Sequence, residues 1–384
     1  MVYQTIKDNN FLMEATIASF EVEQGVSEYQ LIIQKTENGQ SFAEQAERLF
    51  SFFEHLCVNV LNQATVVFQR FFLSDAANQV NLLSEYLPKK RNHVSIIEQP
   101  PLNGAKIALW AYLRTNVEVL DAKDSPGLSA VRHGNYLHLW KGAAICPEND
   151  SEWQMKVLLK EYMAELHQHD CTLCDHCIRT WIFVQNVDVN YGGIVKARRE
   201  TFAENGLTEK THYIASTGIS GRHADPKAIV IFDAYAIKGL KPEQIQYLHA
   251  KTHLSPTHKY GVTFERGTCI RYGDRRHVFI SGTASIDRNG MIVHEGDVVK
   301  QSFRTIENVK TLLQEAGCEL HDIAHIIVYM RDIADYNTIR TIFDHQFVEI
   351  PKVYVLASVC RPGWLVELEC FAIRKDENKR FDPL

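Results

Sequence analysis

The chain has 384 residues, 45% apolar and 23% charged, with a net charge of −6, which fits a protein that buries a core over two or three domains. Its acids and bases are interspersed, so no basic block marks a nucleic-acid or anionic membrane partner. No apolar run approaches the roughly 18 residues of a membrane-spanning helix, the first residues lack a signal-peptide core, and nine cysteines read as reduced thiols, so a cytoplasmic location is expected.

In chain order the elements repeat. Ser41 and Glu44 make a capping box that opens a helix with the apolar stripe Leu49, Phe52, Phe53, Leu56 and Val60. An apolar strand runs from Ala64 to Asp75, a short helix follows, and a strand over Ile107–Arg114 closes the round. In the second round Ser151 and Gln154 take the capping role, and Trp153, Val157, Leu159, Met163 and Leu166 form the stripe. Its strands run from Ile178 to Asp188 and from Ile229 to Lys238. The third round opens with an extended His277–Ile286 segment and a turn at Asp287–Gly290. Asp297 caps a helix carrying Val299, Phe303, Ile306, Val309 and Leu313, and Gly317 stops it. Strands from Ile323 to Asp332 and from Leu365 to Arg374 complete the round.

Each round therefore reads strands, long helix, strand, short helix, two strands, a layered α/β unit with its helices on one face. At about 115–135 residues the units are domain-sized and too long for solenoid repeats. The expected division is 1–115, 116–245 and 246–384, with no flexible linker, so the three units should pack tightly.

Aligning the closing strands on Tyr112, Tyr235 and Phe371 sets Glu367 opposite Ala108 and Ile231. Alternation puts Leu365, Glu367 and Glu369 on one strand face. A carboxyl in so apolar a strand is desolvated, which raises its pKa and suits it to donate a proton near neutral pH. The competing reading is a strand-edge glutamate paired with a nearby base. Glu369 aligns with Asp233 and Trp110, which favours a structural role. Arg361, in the turn before the last strand, can grip a carboxylate bidentately, or can be a solvated turn residue.

Other features have plainer explanations. The Cys/His string from His167 to Cys177 lacks a second Cys-x-x-Cys, so helix-end packing is favoured over a metal. Cys360 reads as a buried thiol before a nucleophile, and Trp181 as a core residue. Lys196, Arg198 and Arg199 read most simply as a solvated helix face, with one of them reaching a neighbouring pocket as the minority reading.

The third unit, roughly residues 255–375, resembles the YjgF/RidA family. Ser281–Ile286, Gly296-Asp297, Asn308–Lys310, Glu315–Gly317, Val328–Asp332 and Val366–Glu369 follow that family's signature in order. The resemblance implies an α+β (layered α/β) fold of three tandem YjgF/RidA-like, chorismate-mutase-like units. It also implies an intrachain pseudo-trimer in place of the family's homotrimers, with unequal pockets between units, and a functional glutamate at Glu367. Over about 175–375 the chain also resembles the chorismatases, through Arg179–Trp181, Tyr260–Gly267, Ser281–Ser285 and Cys360–Glu367.

This second resemblance implies removal of the enolpyruvyl group of chorismate, with pyruvate released. Glu367 would be the acid, Arg361 and Arg266 would hold the carboxylates, Tyr260 would orient the ring or ether, and Ala284 would line the pocket floor. Protonation and electrostatic stabilisation suffice for that chemistry, so no cofactor or metal is expected. The expected partner is a small carboxylate, not nucleic acid or membrane, and the fused chain can stand as a monomer. The alternatives are RidA-like imine or enamine deamination and non-catalytic binding of a small acid. Family deaminases hold an arginine in a Pro-x-Arg stretch, matched here by Pro351-Lys352-Val353. That departure weighs against deamination unless Lys352 substitutes.

Overall fold

The computed structural model describes every residue except 23–24, 26, 38, 89–91, 121–124 and 126. The first unit contains β1 (Val2–Asp8), β2 (Met13–Glu21), β3 (Ser27–Lys35), α1 (Phe42–Asn59), β4 (Thr65–Leu73), α2 (Ala76–Ser84), β5 (Val94–Glu98) and β6 (Ile107–Arg114). The second contains β7 (Glu118–Val119), β8 (Ser129–His133), β9 (Tyr136–Ile145), α3 (Ser151–His167), the single turn α4 (Leu173–His176), β10 (Cys177–Val184), α5 (Val187–Glu204), β11 (Ala215–Ser220) and β12 (Val230–Lys238). The third contains β13 (Ile245–Leu248), β14 (Gly267–Arg271), β15 (Arg275–Ala284), α6 (Val298–Glu315), β16 (Ile323–Met330), α7 (Tyr336–Gln346), β17 (Lys352–Leu356) and β18 (Val366–Lys375).

The three six-stranded sheets have one topology, with strand orders β1-β2-β3-β6-β4-β5, β7-β8-β9-β12-β10-β11 and β13-β14-β15-β18-β16-β17. In each, the last two strands of the order are parallel and joined through a helix, and the closing strand lies inside the sheet. Pairing reproduces the alignment read from the sequence. Ala108, Ile231 and Glu367 sit opposite Phe72, Phe183 and Tyr329 in their respective sheets.

The sheets turn one face inward and stack aromatic rings there. Trp140 lies 4.0 Å from Tyr235 and 4.8 Å from Phe68, and Phe279 lies 4.7 Å from Phe371. This shared core runs through all three units, while α1 and α3 cover separate apolar layers on the outside. Backbone bridges between units close the ring: Glu98 with Arg222, Pro101 with Val355, and Ile219 with Val359. No described helix is long and apolar enough to cross a membrane.

Local signals mostly act where the sequence puts them. Ser41 and Glu44 form the reciprocal capping box, and Asp297 caps α6 by accepting from the Lys300 amide. Three details differ. Asp150, not Ser151, caps α3 by accepting from the Trp153 amide at 2.9 Å. Gln154 turns inward instead, to the Ile229 and Val230 amides. The buried stripe of α3 is accordingly Met155, Leu158, Leu159, Tyr162 and Leu166, with Trp153 exposed. On α6, Val299 and Phe303 are exposed while Ile306, Val309 and Leu313 are buried. The second unit's short helix is α5, at 18 residues as long as α1.

Candidate active site

β15 breaks register with β18 between Ile280 and Thr283, and this bulge opens a gap beside Glu367. Gly282 fills the bulge, and a Cβ on it would collide with the Glu367 carboxyl and approach the Thr217 methyl at 3.0 Å. Glycine is required here for space. On the far side β11 of the second unit lies against β15, joined by Ser216 N–H donating to Ser281 Oγ at 2.9 Å and Gly282 N–H donating to Thr217 Oγ1 at 2.8 Å.

The result is a cleft of about 410 Å³ between the second and third units. Glu367, Arg361, Arg266, Tyr260 and Ala284, the five residues expected from the sequence, all line it. Ala284 pairs directly with Glu367 across β15 and β18. Tyr260 lies between two guanidinium groups, Arg361 at 4.6 Å and Arg266 at 5.4 Å from its ring centre, and Trp364 backs Arg361 at 4.8 Å. Arg266 donates to the Ser255 carbonyl at 3.0 Å and to the Tyr260 hydroxyl, while its buried Nε has no partner. Arg361 donates to the Gly290 carbonyl at 3.2 Å, which ties it to the turn after β15.

Glu367 is 5% exposed. Among the described residues nothing hydrogen-bonds to its carboxyl. Burial pushes its pKa up to about 8, the nearby Glu369 charge adds to the rise, and Arg179 and Arg266 pull against it. At neutral pH it is therefore mainly a neutral acid, able to give a proton inside a cationic cleft.

Helix α5 also lines the cleft, with Lys196, Arg198 and Arg199, so the minority reading of that basic run, in which one of them reaches the neighbouring pocket, is the one the geometry favours, and with Tyr191, which the sequence did not single out. Arg198 is 2% exposed, donates to Ser216 Oγ at 3.2 Å and Thr263 Oγ1 at 3.3 Å, and keeps a buried Nη2 without a partner. The solvated-face reading fails for it, because α5 is covered on a second side by the loop before β14. Lys196 does face solvent, paired with Glu152 at 3.0 Å. Tyr191 reaches into the cleft over Gly218, where a Cβ would strike its ring. It also contacts Cys360, whose thiol is held protonated, pushed up to about 12 by burial and then by the Glu367 charge. Burial thus disfavours the nucleophilic thiolate form of Cys360.

Glu369 is occupied. Arg179 Nη2 at 2.8 Å, Trp181 Nε1 at 2.9 Å and Thr217 Oγ1 all donate to it. Lys352 lies elsewhere, in a separate cleft between the third and first units, so it does not stand in for the deaminase arginine beside Glu367. In the Cys/His string Cys171 and Cys177 are buried, and Cys174 Sγ lies 3.7 Å from His212 Nε2. A wider groove of about 990 Å³ crosses the ends of α6 and α7, but it holds none of the expected site residues.

Comparison with known proteins shows what the chain resembles. The family model described as Endoribonuclease L-PSP matches residues 269–374. The 3-aminoacrylate deaminase RutC of Acinetobacter baylyi is 33% identical over 97 residues, which is 25% of this chain and 77% of the relative. The 3-hydroxybenzoate synthase of Streptomyces hygroscopicus is 27% identical over 218 residues, 50% of this chain and 62% of the relative. A crystal structure of chorismatase shares the fold over 80% of this chain and 93% of its own, with TM-score 0.62 and 18% identity. On the match of its third unit the chain belongs to the YjgF/RidA family, the group described as endoribonuclease L-PSP and containing the RutC proteins.

Proposed function

We propose that the chain is a chorismatase-type enzyme that cleaves the enolpyruvyl ether of chorismate, or of a close enolpyruvyl acid, and releases pyruvate. The observation that carries this reading is a buried carboxyl, its pKa pushed up to about 8, in one cleft lined by four arginines, Arg198, Arg199, Arg266 and Arg361. Similarity to a 3-hydroxybenzoate synthase and the fold shared with chorismatase support the substrate class.

Glu367 gives its proton to the methylene carbon, and the alkene electron pair forms the new C–H bond. The positive charge left on the ether-bearing carbon is shared with the ether oxygen and stabilised by the Glu367 carboxylate just formed. If water captures that carbon and loses a proton to the Glu367 carboxylate, the hemiketal collapses by breaking its bond to the ether oxygen. That oxygen leaves as a ring hydroxyl, giving pyruvate and a dihydroxy-cyclohexadiene carboxylate. If a ring hydroxyl captures it, the cyclic ketal breaks two bonds, that between its carbon and the ether oxygen and that between the ring and the capturing oxygen, which leaves as the pyruvate carbonyl oxygen. Loss of a ring proton then gives a hydroxybenzoate. Arg198, Arg266 and Arg361 bind the two substrate carboxylates, Tyr260 holds two of these arginines in place, and Ala284 leaves room for the ring.

The test is pyruvate release from chorismate, followed with lactate dehydrogenase and NADH, for the wild type and Glu367→Gln. Release that vanishes in the variant supports the reading; no release from the wild type, or equal release from both, overturns it. A second reading, hydrolysis of imines or enamines, rests on the 33% identity to a 3-aminoacrylate deaminase. It keeps Glu367 and uses Arg198 in place of Lys352 to hold the carboxylate. Ammonia without pyruvate would favour it.

A further inference from the structure

The residue that follows the middle strand of each unit occupies one place three times. Ser74 after β4, Gln185 after β10 and Arg331 after β16 each donate a backbone N–H to the residue just before the closing strand, Lys106 at 3.0 Å, Ile229 at 2.8 Å and Leu365 at 3.1 Å. The backbone is the same in all three, and only the third unit puts a guanidinium there. It is also the unit that carries Glu367, two residues beyond Leu365.

The Arg331 side chain crosses to the second unit. Its Nη1 donates to Asp188 Oδ2 at 3.0 Å and its Nη2 to Asp188 Oδ1 at 2.8 Å, a two-pronged grip on one carboxylate. Nη2 also donates to the Val359 carbonyl at 2.6 Å, in the loop that leads to Cys360 and Arg361. One guanidinium therefore holds both walls of the Glu367 cleft, α5 on one side and the Arg361 loop on the other. The pair is only partly shielded, with the side chains of Arg331 and Asp188 19% and 42% exposed. An ion pair so placed adds little to folding stability, so its effect is on geometry.

Helix α5 depends on such an anchor. Helices α1, α2, α3 and α6 each begin with a side chain that accepts from a backbone N–H of the first turn. Helix α5 begins at Asn186 in the left-handed region, with φ of 50°, and has no side-chain cap. Asp188 lies in its first turn, where a negative charge suits the helix dipole, and Arg331 binds that charge. Arg198 lies ten residues further on, about 15 Å along the axis, where it meets the third unit through Thr263 at 3.3 Å.

We propose that Arg331 is a positioning residue for the cleft. By joining Asp188 to the Val359 carbonyl it fixes the spacing between Arg198 on α5 and Arg361 on the loop, and with it the size of dianion the two can hold together. The proposal rests on the reading of the cleft as a dicarboxylate site given above.

Hydrogen–deuterium exchange and pyruvate-release kinetics on the wild type, Arg331→Gln, Asp188→Asn and the double variant test it. Amides of residues 187–199 should exchange about tenfold faster in each single variant, with those of α1 unchanged. KM for chorismate should rise roughly tenfold while kcat stays near that of the wild type. The double variant should be no worse than either single one, because the two residues are halves of one contact. Asp188 is exposed, so its variant decides the matter if Arg331→Gln does not fold. Unchanged exchange over 187–199 in Asp188→Asn overturns the clamp. So does an unchanged KM in both single variants, or a double variant whose loss is the product of the two. A wild type that releases no pyruvate defeats the proposed reaction instead, and the exchange rates still decide the clamp.

Discussion

Glu367 and Glu369 lie on the same face of β18, both buried, yet one borders a cleft and the other belongs to a hub of paired charges. Around Glu369 the partners are complete: Arg179, Trp181 and Thr217 donate to it, and Arg70 lies 3.6 Å away while bonding Asp233 at 2.9 Å. Two guanidinium groups thus meet two carboxylates from different units at the centre of the ring. Glu367 has no such set, and its burial is relieved by holding a proton. The comparison teaches that a buried acid can be accommodated by partners or by neutralisation, and only the second leaves a proton to donate.

The sharpest way to break this comparison is to remove each acid in turn. Glu367→Gln keeps the shape and the neutral charge, so pyruvate release should fall about 10²–10⁴-fold, the usual worth of a general acid, while stability to urea at pH 7 should not fall and should rise, because the amide has no proton to lose on unfolding. Glu369→Ala should do the opposite and lower stability by about 3–5 kcal/mol, because Arg179 and Arg70 stay buried without their carboxylate. Activity lost in both variants, with equal unfolding, would erase the distinction.

pH sharpens it further. The folded pKa of Glu367, about 8, lies above the carboxyl's ordinary value of 4.5. Between those values the folded chain binds more protons than the unfolded one, so this group's contribution is full below about pH 4.5 and is lost as pH rises through 8. Wild-type stability should therefore decline relative to Glu367→Gln from pH 5 to 8, by at most about 1.4 kcal/mol per pH unit. A flat difference across that range would mean a carboxyl already ionised. Activity that needs the protonated acid should likewise fall above about pH 8.

Gly282→Ala tests the gap that Glu367 occupies. The new methyl group must push the carboxyl or the bulge aside, and a displacement near 1 Å can reduce turnover about 10²-fold. Unfolding should shift by about 1–3 kcal/mol, as overpacking does. Near-normal kcat would show that the carboxyl's position beside the bulge is not critical.

Much of this was legible in the sequence, because a tandem repeat supplies its own comparison. The alignment that isolates Glu367 needs only the apolar rhythm of three closing strands, and the five named residues meet in one cleft. What was not legible depends on contacts between units. Arg198 entered only through the minority reading because α5 buries Ile194, Ala197 and Phe202 against its own unit and Arg198 against the next. A helix covered on two sides has no clean amphipathic stripe. Trp153 and Phe303 fail conversely: they fit a helical spacing but lie at the edge of the buried face, where spacing alone does not decide exposure. The role suggested for Lys352 failed on topology, since β17 faces the first unit and not the Glu367 cleft.

That division of labour between units leads to the smallest effect and the finest test. Arg198 reaches the cleft from the second unit, fixed by two hydroxyls and with a buried Nη2 still unpartnered. Arg361 comes from the third unit on a half-buried turn, held by stacking on Tyr260 and Trp364. A carboxylate bound to the better-buried and more rigid guanidinium gains more from the contact. Arg198→Gln should then raise KM about 10–100-fold with a smaller change in kcat, and Arg361→Gln should raise it only about tenfold or less. Arg198→Lys should not restore binding, because an ammonium cannot reproduce the planar fork. The reverse order would put the main anchor within the third unit, leaving the second as a wall and the resemblance over residues 175–245 without a chemical reason.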